Sequence, residues 1–182
     1  QNRHWAATRL KEQYIKQVQQ VDPIGIVISE WAVNFATRIV PLRDAIAGAG
    51  VLDTYHKWAS RIHMAFFYYF KSMVQTDQGQ LVLTPMYHLF NMYKAHRNKQ
   101  SVAVDVQCDT IESGEEGGQR DFFGSLPVEP APTLPILTSS ASISPDGTEV
   151  ILSITNRHLT NHVEANITIE NAGKPVSGTV TL

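Results

Sequence analysis

The apolar residues of this chain change period near Lys99, and that change limits what the two halves can fold into. From Ala7 to Val21, the positions Leu10, Tyr14, Val18 and Val21 recur at helical spacing. An Asp22-Pro23-Ile24-Gly25 turn then starts a short β-branched strand over Ile24 to Ile28. Arg43 to Trp58 reads as a second helix with Ile46, Ala49, Leu52 and Tyr55 on its apolar side, and Arg61 to Phe70 as a second, buried strand. Thr84 suits an N-cap and Pro85 the first helical position, so a third helix is expected from Pro85 to about Asn98. Helix and strand alternate as in an α/β barrel, although two strands cannot close one.

Beyond Lys99 the period becomes two, with Val102, Val104 and Val106 alternating with Ala103, Asp105 and Gln107. Asp109 to Pro135 is rich in Gly, Glu and Pro and reads as a long loop, with Phe122-Phe123 as its anchor. Short strands are expected at Leu137 to Ile143, Glu149 to Thr155, Val163 to Ile169 and Val176 to Leu182, with turn residues between them. That spacing predicts an antiparallel β-sandwich. The chain thus divides into an α/β portion, 1–99, and an all-β portion, 100–182.

Composition removes several function classes. With 182 residues, 43% apolar and 18% charged, the chain is globular. A net charge of −2 with scattered Lys and Arg does not make the cationic face that nucleic acid requires. No apolar run is long enough to span a bilayer, so neither nucleic acid nor membrane is an expected partner. Cys108 is the sole cysteine, which excludes an internal disulfide framework and suits a reducing, cytoplasmic compartment over a secreted one. The chain begins at Gln1 with neither Met nor a signal-like segment, which reads as a cut in a longer polypeptide.

The chemistry-bearing segment is Ile26-Val27-Ile28-Ser29-Glu30-Trp31, an apolar run that ends on a carboxylate and an aromatic. A barrel strand buried on both faces reads as such a run, and reacting groups sit where these strands end. Glu30 is therefore placed like a catalytic carboxylate, although many strands simply end on a solvated Glu. Seven histidines occur, none joining a Cys or carboxylate at recognised ligand spacing, so no metal site is expected.

Three blocks in the right order resemble the C-terminal part of the α-L-arabinofuranosidases of glycoside hydrolase family 51. Ile28-Ser29-Glu30-Trp31-Ala32-Val33 is similar to the strand end that carries the family's nucleophile. The run from Leu81 through Thr84-Pro85-Met86-Tyr87-His88 to Met92-Tyr93-Lys94-Ala95-His96 is the most specific match. Ser140-Ala141-Ser142, with Asp146-Gly147 and Ile151 to His158, resembles the start of the family's C-terminal β-sandwich. The resemblance implies the last β/α units of a (β/α)8 barrel followed by a jelly-roll-like sandwich. It also implies retaining hydrolysis that releases terminal α-L-arabinofuranosyl residues, with Glu30 as nucleophile and no cofactor.

The family's acid/base is a Glu after an Asn on the fourth strand, and no Asn-Glu pair occurs in this chain. The implied partners are an arabinose-containing oligo- or polysaccharide, the rest of the same barrel and, in some members, further copies of the chain. Two departures bear on substrate contacts. Ala32 and Asn34 stand where the family often has Asn and an aromatic, and Phe66-Phe67-Tyr68-Tyr69-Phe70 replaces a polar stretch. Trp31 suits either a sugar-binding wall or barrel packing, and the aromatic run reads as buried core before cleft lining. Another specificity of the same family, endoglucanase or xylosidase, is the alternative enzyme reading. A non-catalytic carbohydrate-binding or structural fragment is the alternative from another class.

Overall fold

The computed structural model describes residues 25–33, 40–68, 70–112, 133–158, 160–172 and 177–181. The helix expected over Ala7 to Val21, and Phe122-Phe123, lie outside them. Strand β1 (Ile26–Trp31) is followed by helix α1 (Leu42–Lys57) and strand β2 (Ile62–Phe67), and β1 and β2 pair in parallel. Parallel neighbours require such a crossover, so this is a β-α-β unit. Both helix and strands fall within a few residues of their sequence-based bounds.

α1 is buried on nearly every side, which its expected single apolar face does not explain. Small residues at Ala45, Ala47, Gly48, Ala49 and Gly50 let neighbours approach closely all round. Val51 and Tyr55 join Ile26, Trp31 and Ile62 in one apolar cluster, while Ala45 and Ala49 join Val40, Met86, Leu89 and Tyr93 in a second. At Gly48 an added Cβ would come within 2.9 Å of Leu89 Cδ2, so a side chain there would require Leu89 to shift.

The chain then forms a hairpin that the period analysis does not anticipate. β3 (Val74–Asp77) and β4 (Gln80–Leu83) pair antiparallel about Gln78-Gly79, whose φ values are 46° and 80°. Two positive φ values in a two-residue loop give the type I′ turn that matches strand twist. Asp77-Gln78-Gly79 between two β-prone runs was the available signal. Helix α2 (Pro85–Tyr93) starts as expected: Thr84 Oγ1 accepts from Tyr87 N at 3.4 Å, and Pro85 takes the first turn. It ends sooner than expected and tightens into a 3₁₀ turn over Lys94–His96.

Beyond Lys99, β5 (Gln100–Val102), β8 (Leu137–Ile143) and β9 (Val150–Asn156) form an antiparallel sheet in the order β5-β8-β9. The β8–β9 connection is held by Asp146, which accepts from the Ser144 and Thr148 hydroxyls and from Thr148 N. Those bonds depress its carboxyl to about 2.

The fold departs from the sequence pattern in three places. The stretch 109–135 is not loop throughout, because β6 (Thr110–Glu112) pairs antiparallel with β7 (Thr133–Pro135). Val104 and Val106 alternate in sequence but lie outside any strand. No strand forms over 163–169 or 177–181, where Ile167 and Val180 are exposed. Alternation predicts a strand only where one face is buried and an edge is available to pair with.

Candidate active site

Neither β1 nor β2 is buried on both faces. The two form a two-stranded sheet, Ile26 and Trp31 face the apolar cluster, and Val27 is 59% exposed on the other side. In a regular strand, residues an odd number apart point to opposite faces, so Ile26 and Trp31 should not share a core. The register explains why they do. Ile28 pairs with Ala65 and Trp31 with Phe67, so β1 uses three steps where β2 uses two. One extra residue is accommodated at Ser29-Glu30, a β-bulge.

The bulge re-aims the end of the strand. Ile26, Ile28 and then Trp31, instead of residue 30, point toward α1 and α2, while Glu30 is left exposed on the opposite side. Trp31 is 3% exposed and packs edge-on against Tyr55 (5.4 Å between centroids) and Phe67 (5.0 Å), and stacks on Phe90 (5.9 Å). Tyr68 N donates to Trp31 O at 2.7 Å, fixing the backbone beyond the bulge. Trp31 therefore holds Glu30 from behind, as packing.

The aromatic run after β2 is divided by the same alternation. Phe67 packs on Trp31 and Phe90, whereas Phe66 and Tyr68 are about half exposed on the side to which Glu30 points. Phe70 is 74% exposed, so the run is not the continuous buried core expected of it. Tyr69 lies outside the described residues.

A second cluster of polar side chains, not anticipated from sequence, joins the helices to the three-stranded sheet. Asp53, 4% exposed, accepts from Tyr93 Oη (2.7 Å), Ser140 Oγ (2.7 Å) and Thr138 Oγ1 (2.8 Å). Ser140 has one hydroxyl proton and gives it to Asp53, so His56 Nδ1, 3.0 Å from Ser140 Oγ, is the donor in that contact. His96 lies between Ser142 Oγ (2.8 Å from Nδ1) and Ser153 Oγ (2.7 Å from Nε2). Ser101 Oγ donates to His56 O, and Lys99 pairs with Glu149 at 3.0 Å. The legible signal was Thr138-x-Ser140-x-Ser142, three hydroxyls on one face of β8.

Burial pushes the Asp53 carboxyl up, opposed by its three hydroxyl donors and by His56. Burial pushes both imidazoles down, His96 to about 4, with His56 and Lys99 adding to the effect on His96. A base with a depressed pKa in the fold stabilises the protein above its unfolded value of 6.5 and loses that contribution as pH falls toward 4. Asp53 has the opposite sign and regains stability only as acid neutralises it. The expected result is a fall of about 2 to 3 kcal/mol between pH 7 and pH 4, read from urea midpoints. His96→Gln should flatten that slope, and an equally steep slope in the variant would remove His96 as its source.

The family model described as the alpha-L-arabinofuranosidase C-terminal domain matches residues 19–181. The chain belongs to this family. An intracellular exo-alpha-L-arabinofuranosidase of Bacteroides ovatus is 29% identical over 119 residues, 63% of this chain and 20% of that protein. The glycoside hydrolase family 51 arabinofuranosidase of Xanthomonas axonopodis pv. citri superposes with a TM-score of 0.64 at 23% identity, over 82% of this chain and 31% of that one. The α-L-arabinofuranosidase of Thermotoga maritima, solved as an arabinose complex, gives 0.60 at 23% identity over 83% and 34%. The chain thus spans a minor part of the relatives it matches, and the solved structures share its fold. Among the described residues, no helix is long and apolar enough to cross a membrane.

Proposed function

We propose that this chain is the C-terminal portion of a retaining glycoside hydrolase that releases terminal α-L-arabinofuranosyl residues, with Glu30 as its nucleophile. Residues 1–99 supply the last units of a (β/α)8 barrel, β1 and β2 being two of its strands, and residues 100–182 a β-sandwich. The observation that carries the reading is the bulge at Ser29-Glu30, which exposes a carboxylate at the end of a parallel strand while its neighbour Trp31 is anchored in the core. Bulges next to active sites commonly re-aim a side chain in this way.

Retention needs a second carboxyl group about 5 to 5.5 Å from the first, on the opposite side of the scissile bond. Glu30 attacks the anomeric carbon and the second group protonates the departing oxygen. A glycosyl ester on Glu30 results. The second group then takes a proton from water, which releases the sugar and restores both carboxyl groups. By the family resemblance that second group is a Glu in another part of the barrel. Phe66 and Tyr68, exposed on Glu30's side, supply apolar faces on which sugar C–H groups can pack. The name of the Bacteroides relative supports a cytoplasmic location.

The test is stereochemical. The complete polypeptide, given an aryl α-L-arabinofuranoside in an NMR tube, should release the α-anomer first. Initial release of the β-anomer would show single displacement by water and remove Glu30 as nucleophile.

A further inference from the structure

Helical geometry gives α1 two attachments on opposite sides. Val51 and Tyr55 are four residues apart and share a face, while Asp53 lies about 160° around the helix from each. The first face meets Trp31, through the edge-on contact of Tyr55 at 5.4 Å. The second meets the three-stranded sheet through Asp53 and, one turn on, His56. Glu30 and Asp53 are thereby joined through one peptide link, one aromatic contact and half a turn of helix.

Apolar packing alone would hold the sheet on α1, but it is non-directional. A carboxylate accepting from Thr138 and Ser140 on β8 and from Tyr93 on α2 behaves differently. Its two oxygens and three donors fix the rotation and axial position of α1, since a shift of an ångström lengthens all three bonds beyond useful geometry. Asp53 is an expensive residue to bury, and a fixed helix position is what its three directed bonds provide.

We propose that Asp53 is a positioning residue for Glu30: by locking α1 against the sheet and α2 it fixes Tyr55, and through Tyr55 the Trp31 ring that anchors the bulge. The proposal rests on the reading of Glu30 as nucleophile. It gives the β-rich part of the chain a role in the chemistry, since two of the three groups that lock Asp53 are carried by β8. Asp53 touches neither substrate nor reacting atoms, and its effect passes through Trp31.

The test is made in the complete polypeptide with an aryl α-L-arabinofuranoside, well below the melting temperature of every variant. Asp53→Asn should lower kcat about ten- to a hundred-fold, as an ångström of misplacement does, with KM within about two-fold. A double-mutant cycle with Trp31→Phe should be non-additive, because both changes disturb the same support. Loss of stability with unchanged kcat would overturn the proposal, and so would a fall in kcat that is additive with Trp31→Phe. Should Asp53→Asn not fold, Ser140→Ala and Thr138→Val each remove one donor, and each should lower kcat by about three-fold without changing KM. Unchanged kcat in both would equally overturn it. Glu30→Ala, assayed in parallel, separates the two readings. If it retains activity the nucleophile assignment fails, whereas an inert Glu30→Ala beside a normal Asp53→Asn refutes the positioning role alone.

Discussion

Replacing Glu30 by alanine in the complete polypeptide is expected to lower turnover of an aryl arabinofuranoside by roughly 10³- to 10⁶-fold, the range seen when a nucleophile is removed. The side chain is exposed at the bulge and carries none of the apolar contacts that Trp31 makes, so the fold should be retained. Azide, small enough to enter the space left by the carboxylate, should restore cleavage of the activated substrate in one displacement. The product would be an arabinofuranosyl azide of inverted anomeric configuration. Near-normal turnover without azide would end the assignment. An inert variant that azide does not rescue would instead leave Glu30 as acid or electrostatic support, with the nucleophile elsewhere.

Trp31→Ala has the largest expected effect on stability, about 3 to 5 kcal/mol, as for other large aromatics cut from a core. Three rings lose a partner at once: Tyr55 and Phe67 their edge contacts, and Phe90 its stacked face. These three come from α1, β2 and α2, so the cavity opens where all three layers meet and cannot close by moving one of them. Denaturant unfolding of the variant measures the loss. Trp31→Phe keeps one ring and should cost less. A sugar-facing tryptophan would show the reverse pattern, with weakened substrate binding and nearly unchanged stability.

The strands and helices that carry Glu30 were legible in sequence because their signals are local. The Ile26 to Ile28 run, the capping Thr84-Pro85 pair and the 3.6-residue period of α1 each lie within a single element. The bulge was not legible, because it is a relation between β1 and β2, and the sequence of either strand alone is compatible with unbroken pairing. Asp53 was missed for the same reason. Its three donors lie 40, 85 and 87 residues away, and nothing near Asp53 in the chain distinguishes it from a solvated helix residue. The Val163 to Ile169 alternation was misleading in the opposite sense, since a suitable pattern forms no strand among the described residues.

The bulge has a partner on the facing strand. Ile26 pairs with Ile62 and Val27 with Met64, so β2 carries its own extra residue at His63, two pairs before β1 carries one at Ser29-Glu30. The two insertions offset each other, and the strands leave the sheet in step although each has slipped once. This makes residue count, more than residue identity, the fragile property of the segment. Adding one residue to β2 between Ala65 and Phe67 would leave every β1 side chain in place in the sequence yet let β1 pair there without its bulge, turning Glu30 toward Phe90 and Tyr55 and Trp31 into water. In any transplant of this strand end to another scaffold, the two strands have to travel together.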